Sequence, residues 1–129
     1  MTSVVLDASA FIALLADEPG ADAVSAVIAE AAMCTVNLCE VVAYAAKRGA
    51  TQEDARQLID PSPFARIPFD DDLAFRAGLM LPVTKSAGLS LGDRACIALA
   101  IRLKAPAMTT DRSWTKIAAA VGVEVHLIR

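Results

Sequence analysis

The sequence contains little of the chemistry on which many enzymes depend. Its single histidine, His126, lies in an apparent final strand, Val123 to Ile128, far in sequence from any candidate nucleophile. A Ser/His or Cys/His catalytic pair is therefore not expected. The three cysteines, Cys34, Cys39 and Cys96, are odd in number and show no CxxC spacing. This pattern favours buried thiols in a reducing compartment over a disulfide or a zinc site.

Long apolar runs are also missing. Charged residues such as Asp7, Asp17 and Asp93 interrupt the richest apolar stretches, and no run reaches the roughly 18 to 20 residues that a membrane span needs. The N-terminus shows no basic segment followed by an apolar one and a cleavage signature, so we expect a cytoplasmic protein. The net charge of −3 argues weakly against a broad nucleic-acid-binding face.

Apolar residues, in contrast, are abundant. They make up 56% of the 129 residues, which is enough for one well-filled core and predicts a single domain over residues 1–129. The apolar run that ends at Asp7 is too short for anything but a buried strand, and we predict it as the central strand. The alternation of strands and helices predicts a three-layer α/β/α sandwich with a mostly parallel sheet.

Periodicity, caps and turn residues predict the remaining elements. The predicted helices are Ser9 to Ala16, Ala21 to Ala32, Leu38 to Arg48 with Asn37 as its N-cap, Gln52 to Ile59, Leu73 to Leu81, Leu91 to Lys104, and Arg112 to Val121. The other predicted strands are Cys34 to Val36, Ala65 to Pro68 at a sheet edge, Ala107 to Thr109, and Val123 to Ile128. A polar loop is predicted up to Gly88.

Four acidic residues occupy comparable places in this predicted fold. Asp7 and Asp111 each follow a strand, whereas Glu40 and Asp93 lie in the first turns of two helices. In a parallel sheet with crossover helices, helix N-termini lie at the edge where the strands have their carboxyl ends. All four acids can therefore converge at that edge.

Helix capping is the alternative explanation for each acid taken singly. Asp7 and Asp111 could be N-caps, and the segments from Asn37 to Glu40 and from Ser90 to Asp93 resemble capping boxes.

If the acids do meet, each pair at ~4 Å repels by roughly 4 kcal/mol at an effective dielectric of about 20, so a cation must hold them. Arg94 and Arg112 could serve, but a cluster of hard oxygen ligands without His or Cys is what Mg²⁺ or Mn²⁺ prefers. Hydroxyl groups could add contacts to the site, although they could equally be capping or loop residues. These are Ser9, Thr109, Thr110 and Ser113.

The residues around the four acids resemble a known family. The segments VVLDASAFIALL, NLCEVVA, GLSLGDRACIALA and MTTDRSW, in this order and with these spacings, look like the PIN-domain family, and specifically its VapC-type toxins. The resemblance runs from about Val4 to Val125. Its acidic residues fall on the four acids above, and Ser9 and Thr110 match hydroxyl positions that support the site.

The resemblance implies a Mg²⁺- or Mn²⁺-dependent endoribonuclease with one or two ions. It would be the toxin of a toxin–antitoxin pair. Asp7, Glu40, Asp93 and Asp111 would be its catalytic and metal-binding residues. It also implies a homodimer, a VapB-type antitoxin that covers the active site in a heterotetramer or larger assembly, and an RNA substrate such as transfer RNA.

Basic and aromatic residues near the predicted edge could contact RNA. Arg94 and Arg112, and also Lys85 and Lys116, are candidates for the phosphate backbone, but ion pairs with neighbouring acids are the favoured interpretation of the two arginines. Trp114 could stack on a base, although a place in the core is favoured.

Other functions are consistent with parts of the sequence. The main alternative is a catalytically silent PIN-like module that works through its antitoxin partner. A phosphatase or a phosphoreceiver also places Asp at a strand end, but the former would need an Asp at Ser9 and the latter an acidic pair before its first strand-end Asp. A DNA flap nuclease would need additional elements for which this chain has no room.

Overall fold

The computed structural model describes residues 1–129, which form a five-stranded, entirely parallel sheet with helices on both faces. The strands are β1 (Val4–Leu6), β2 (Ala31–Cys34), β3 (Ala65–Ile67), β4 (Ala107–Thr109) and β5 (Val125–Leu127). The helices are α1 (Ala8–Leu15), α2 (Ala21–Val27), α3 (Thr35–Lys47), α4 (Gln52–Ile59), α5 (Asp71–Leu79), α6 (Leu81–Thr84), α7 (Leu91–Leu103) and α8 (Ala118–Val121).

The strand order β3-β2-β1-β4-β5 puts β1 at the centre of the sheet, as predicted. Leu6 of β1 pairs with Met108 of β4, and Val4 pairs with Ala31 of β2. All three residues of β1 are buried, as expected for a strand covered on both faces. The carboxyl ends of β1 and β4 therefore lie side by side.

Two apolar cores, one on each face, confirm the predicted three layers. Val5 belongs to the core beneath α5 and α7, which includes Leu73, Ile97 and Trp114. Val4 and Leu6 point to the opposite face and pack with residues of α1 to α4. Because side chains alternate along a strand, β1 contributes to both cores.

The predicted second strand and the start of the following helix are wrong. The strand is Ala31–Cys34, and Thr35 and Val36 already belong to α3. Alanine has the highest helix propensity, but parallel pairing with β1 makes Ala31 and Ala32 a buried strand. The cap of α3 is Cys34, so Asn37 is not an N-cap and lies buried inside the first turn.

The segment after α5 also differs from its prediction. Instead of a polar loop, α6 and a short 3₁₀ helix (Lys85–Ala87) fill it, and Pro82 stands at the start of α6, where a missing N–H is tolerated. After Asp111, a 3₁₀ helix (Arg112–Lys116) and the short α8 replace the single predicted helix. The helix predicted over Ala21 to Ala32 is too long, because α2 ends at Val27 and a 3₁₀ helix (Ile28–Glu30) leads into β2. The remaining predicted helices and strands lie within two or three residues of their predicted places.

Two further sequence expectations can be compared with the structure. Cys34 and Cys96 are buried, but Cys39 is exposed, so the expectation of three buried thiols is wrong. None of the helices combines the length and apolar character needed to span a bilayer.

Candidate functional site: an acidic cleft at the carboxyl edge of the sheet

Asp7 is the most buried acidic residue of the chain, with 5% of its surface exposed. It occupies the N-cap position of α1 but makes no capping hydrogen bond. Its Oδ2 atom instead accepts hydrogen bonds from the hydroxyls of Ser9 (2.7 Å) and Thr109 (2.9 Å). Burial raises the pKa of Asp7 to about 6, an effect that the two hydroxyls partly offset and the nearby charges of Asp93 and Glu40 increase.

Hydroxyl groups join the ends of β1 and β4 around this carboxylate. The Ser9 Oγ atom accepts a hydrogen bond from the Thr110 backbone N–H (3.1 Å), and Thr109 Oγ1 accepts one from the Asp111 N–H (3.1 Å). Thr109 therefore supplies the second hydroxyl to Asp7, whereas Thr110 contributes its backbone N–H. The sequence placed Thr109 among the candidate hydroxyls, but only the register of β4 against β1 brings it to the level of Asp7.

Glu40 lies on α3, in its second turn and not in the first. Its Oε1 atom accepts a hydrogen bond of 2.9 Å from the side-chain amide of Asn37. The expected capping box is therefore absent, because Asn37 bonds to the Glu40 side chain and not to a backbone N–H. Partial burial raises the pKa of Glu40; the Asn37 amide lowers it and the charge of Asp93 raises it.

Asp93 and Asp111 both cap helices, as the alternative interpretation expected. Asp93 forms a capping box with Ser90 at the start of α7, in which its Oδ2 accepts from the Ser90 N–H at 2.8 Å. Asp111 Oδ1 accepts hydrogen bonds from the N–H (2.9 Å) and the hydroxyl (2.7 Å) of Ser113. Burial raises the pKa of Asp93; its bonds to Ser90 oppose the shift and the charge of Asp111 adds to it.

The structure brings all four acids to the same open cleft, at the edge where the strands have their carboxyl ends. The cleft is lined by Asp7, Ala8, Ser9, Ile12, Glu40, Asp93, Thr110 and Asp111. In each acid the protein bonds to only one carboxylate oxygen, and no protein group donates to the other. For Asp93 and Asp111, capping and convergence are thus compatible, because one carboxylate oxygen caps the helix and the other is free.

No ion pair neutralises these four carboxylates. Arg94 donates to the backbone carbonyl of Ala77 at 2.9 Å, and Arg112 is exposed without an acidic partner. The ion pairs favoured for these arginines from the sequence are therefore wrong.

The residues of the cleft fit a hard divalent cation in their chemistry. They offer carboxylate and hydroxyl oxygens, one free oxygen on each acid, and an uncompensated negative charge. No three of the acids are placed to hold one ion directly in the present conformation, so direct binding by three of them would require a side chain to change rotamer. Mg²⁺ does not require three carboxylate ligands, because it keeps several bound waters and usually binds one or two carboxylates directly.

Two other features lie outside the cleft. Trp114 is fully buried in the core beneath α7, which confirms the favoured interpretation and removes it as a stacking platform. A separate apolar groove between α3 and α4 contains Asp60, but Arg66 pairs with this acid at 2.6 Å and lowers its pKa. That groove therefore has no free carboxylate.

Comparison with solved structures finds the same fold in toxin–antitoxin complexes. A chain of a toxin–antitoxin complex from Klebsiella pneumoniae superposes with a TM-score of 0.73 at 21% identity, with 98% of each chain covered. A chain of DNA-bound VapBC from Salmonella typhimurium gives 0.76 at 14% identity, with both chains fully covered. A VapBC complex from Mycobacterium tuberculosis gives 0.66 at 22% identity, with 98% and 99% covered. Comparison with curated proteins gives no match.

Fold and cleft together define an α/β protein with a parallel sheet whose carboxyl edge carries an acidic, hydroxyl-lined site. The sequence matches the PIN domain over residues 4–120, nearly its whole length. The chain therefore belongs to the PIN-domain family, as the sequence motifs indicated.

Proposed function

We propose that this PIN domain is a Mg²⁺- or Mn²⁺-dependent endoribonuclease that acts in the cytoplasm as the toxin of a VapBC-type toxin–antitoxin pair. The observation that carries the proposal is the convergence of Asp7, Glu40, Asp93 and Asp111, from four separate segments, on one cleft without a neutralising cation. For stability alone such a cluster is unfavourable, since Asp7 is almost fully buried, Asp93 is partly buried, and all four carry the same charge. A role in binding a cation explains the arrangement.

The residues of the cleft have distinct parts in this mechanism. Ser9 and Thr109 fix the Asp7 carboxylate through one oxygen and leave the other for the ion. Asp93 and Asp111 are fixed in the same way by their helix caps, and Glu40 by Asn37. When bound, one or two divalent ions would activate water and stabilise the charge that develops on the phosphate. Glu40 would position the attacking water or complete a second ion site.

RNA binding should involve the exposed cations near the cleft. Arg112 directly follows Asp111 and is unpaired, which makes it the best candidate for a phosphate contact. Lys116 lies one turn further along the same 3₁₀ helix and is exposed. Arg94 is less suited, because its guanidinium is committed to the Ala77 carbonyl. The substrate would be a structured or single-stranded RNA such as transfer RNA.

The proposed partners are a VapB-type antitoxin and a second copy of the chain. Two copies of the chain and the antitoxin would form a heterotetramer or a larger assembly. The antitoxin is supported by the similarity to chains from VapBC complexes.

A homodimer is supported by an exposed apolar surface on α5, α6 and the start of α7, here called the α5–α7 patch. Its residues are Phe75, Leu79, Leu81, Val83 and Leu91. Phe75 and Leu79 are four residues apart on α5, so they share a face of this helix, and they are 66% and 77% exposed. Adjacent large apolar side chains with this exposure are typical of interaction surfaces.

RNA cleavage by purified, partner-free protein tests the function. We expect discrete fragments from total RNA with Mg²⁺ or Mn²⁺, none with EDTA, and none from Asp93→Asn. Asp60→Asn is the matched control, since it removes an ion-paired acid outside the cleft and should cleave normally. If folded protein that binds Mn²⁺ leaves structured and single-stranded RNA uncut, the endoribonuclease proposal is wrong and a silent binding module replaces it.

A further inference from the structure

Asn37 connects the two helices that carry Glu40 and Asp93. It is fully buried in the first turn of α3. Its side-chain amide donates one hydrogen bond to Glu40 Oε1 (2.9 Å) and one to the backbone carbonyl of Gly92 in α7 (3.0 Å). Both partners are acceptors, so the amide nitrogen must face them and uses both of its hydrogens.

The oxygen of the same amide has no partner. Asn37 Oδ1 is buried and accepts no hydrogen bond, which is unfavourable for folding. An apolar side chain of similar volume would avoid this cost at a fully buried position. The amide is therefore better explained by the two hydrogen bonds that it donates than by packing.

Gly92 provides the space in which the Glu40 carboxylate lies. A Cβ atom added at Gly92 would overlap the Glu40 carboxylate group. The φ of Gly92 is not positive, so the backbone does not require glycine there. Gly78, the other glycine inside a helix, has open space around it instead, so close approach to a side chain is not a general property of the helical glycines.

We propose that Asn37 and Gly92 together position the Glu40 carboxylate in the acidic cleft. Asn37 holds Oε1, Gly92 leaves room for the carboxylate, and Oε2 remains free of protein donors. Asn37 does not line the cleft and is a positioning residue, not a catalytic one. The inference rests on the proposed function, because it assumes that Glu40 belongs to the working site.

A double-mutant cycle between Asn37→Leu and Glu40→Gln tests this role. The readouts are Mn²⁺ affinity by calorimetry and the rate of RNA cleavage. We expect Asn37→Leu to weaken both by about 10- to 100-fold, as for other groups that orient a metal ligand. In the Glu40→Gln background the same change should have no further effect, because Asn37 acts only through Glu40.

The outcomes separate this inference from the proposed function. Losses that add fully in the double variant, or an Asn37→Leu protein with unchanged binding and cleavage, would overturn the positioning role. If Glu40→Gln itself binds Mn²⁺ and cleaves RNA like the parent, Glu40 is not part of the site and its assignment under the proposed function is wrong as well.

Gly92→Ala gives an independent, metal-free test. In EDTA we expect this variant to melt at a lower temperature than the parent, because its methyl group displaces the Glu40 carboxylate. In a Glu40→Ala background the same change should be neutral or raise the melting temperature, as replacing a helical glycine normally does. Gly78→Ala is the matched control and should behave alike in both backgrounds. An equal decrease for Gly92→Ala in both backgrounds would refute the steric part of the inference.

Discussion

Thr109 donates a 2.9 Å hydrogen bond to Asp7 across a separation of 102 residues in the sequence. The bond exists because β1 and β4 are parallel neighbours in register, which places Asp7 and Thr109 at the same level of the sheet. It holds a carboxylate whose burial opposes its ionisation. The pairing of β1 with β4 thus supplies a hydrogen-bond donor that counteracts the effect of burial on the ionisation of Asp7.

Thr109→Val should therefore affect Asp7 specifically. The change keeps the shape of the side chain but removes one of the two hydrogen bonds to Asp7, whose bond from Ser9 remains, and leaves the Asp111 N–H without a hydrogen-bond partner. We expect a loss of about 1 to 3 kcal/mol in the free energy of unfolding, a further increase in the pKa of Asp7, and slower RNA cleavage. Urea unfolding, NMR titration and the cleavage assay measure these effects.

Thr84→Val is the control for this substitution. Thr84 is also fully buried and donates to a backbone carbonyl, that of Met80, outside the cleft. It should reduce stability without changing the Asp7 titration or cleavage. An equal shift of the Asp7 pKa in Thr109→Val and Thr84→Val would contradict a specific effect of the Thr109 hydroxyl on Asp7.

The stability of the metal-free protein should depend on the ionisation of Asp7. Its pKa is higher in the folded protein than in the unfolded chain, so the folded state binds more protons between about pH 4 and pH 6. The free energy of unfolding therefore falls as the pH rises through this window, by as much as about 2 to 3 kcal/mol from this group.

Asp7→Asn should remove this contribution. In EDTA, the variant is expected to be more stable than the parent at pH 7.5, with a difference that shrinks towards pH 4. Urea unfolding at a series of pH values gives the comparison. If Asp7→Asn differs from the parent in stability by the same amount at pH 4 and at pH 7.5, the charge of Asp7 is not the cause of the difference.

Asp93→Asn should separate catalysis from stability. An Asn side chain can still accept the hydrogen bond from the Ser90 N–H, so the start of α7 should remain intact. Cleavage should fall by more than about 100-fold, beyond the loss typical of groups that only orient a ligand. In EDTA the melting temperature should rise, because a partly buried charge near Asp111 is removed. A clearly lower melting temperature, or full cleavage, would contradict the assignment.

Substitutions in the α5–α7 patch should change the oligomeric state. Phe75→Glu or Leu79→Glu would place a charge in the proposed dimer interface and is expected to give monomers in light scattering after size-exclusion chromatography. Leu58→Glu, at an exposed apolar position of α4, should leave the dimer intact. A parent protein that is monomeric at high concentration would refute the homodimer.

The sequence predicted the fold well where the local signal and the tertiary environment agree. The central strand β1, the capped helices α4 and α7, and the strand β4 lie where their caps and apolar patterns placed them. The prediction failed at β2, because an alanine-rich segment has no strong local preference for a strand. Its conformation is decided by pairing with β1, as in Val4 with Ala31, and propensity cannot show that.

The acidic site was likewise predicted in part from the sequence. The convergence of the four acids followed from the sequence alone, because parallel topology sends strand ends and helix starts to one edge. The roles of Thr109, Asn37 and Gly92 did not follow, because each depends on a contact across the fold: the register of β4 against β1, or the approach of α3 to α7. The sequence by itself determined which groups meet at the cleft. Only the tertiary structure decided which oxygen of each carboxylate is held and which is free, because that depends on distances of a few ångströms between segments remote in the chain.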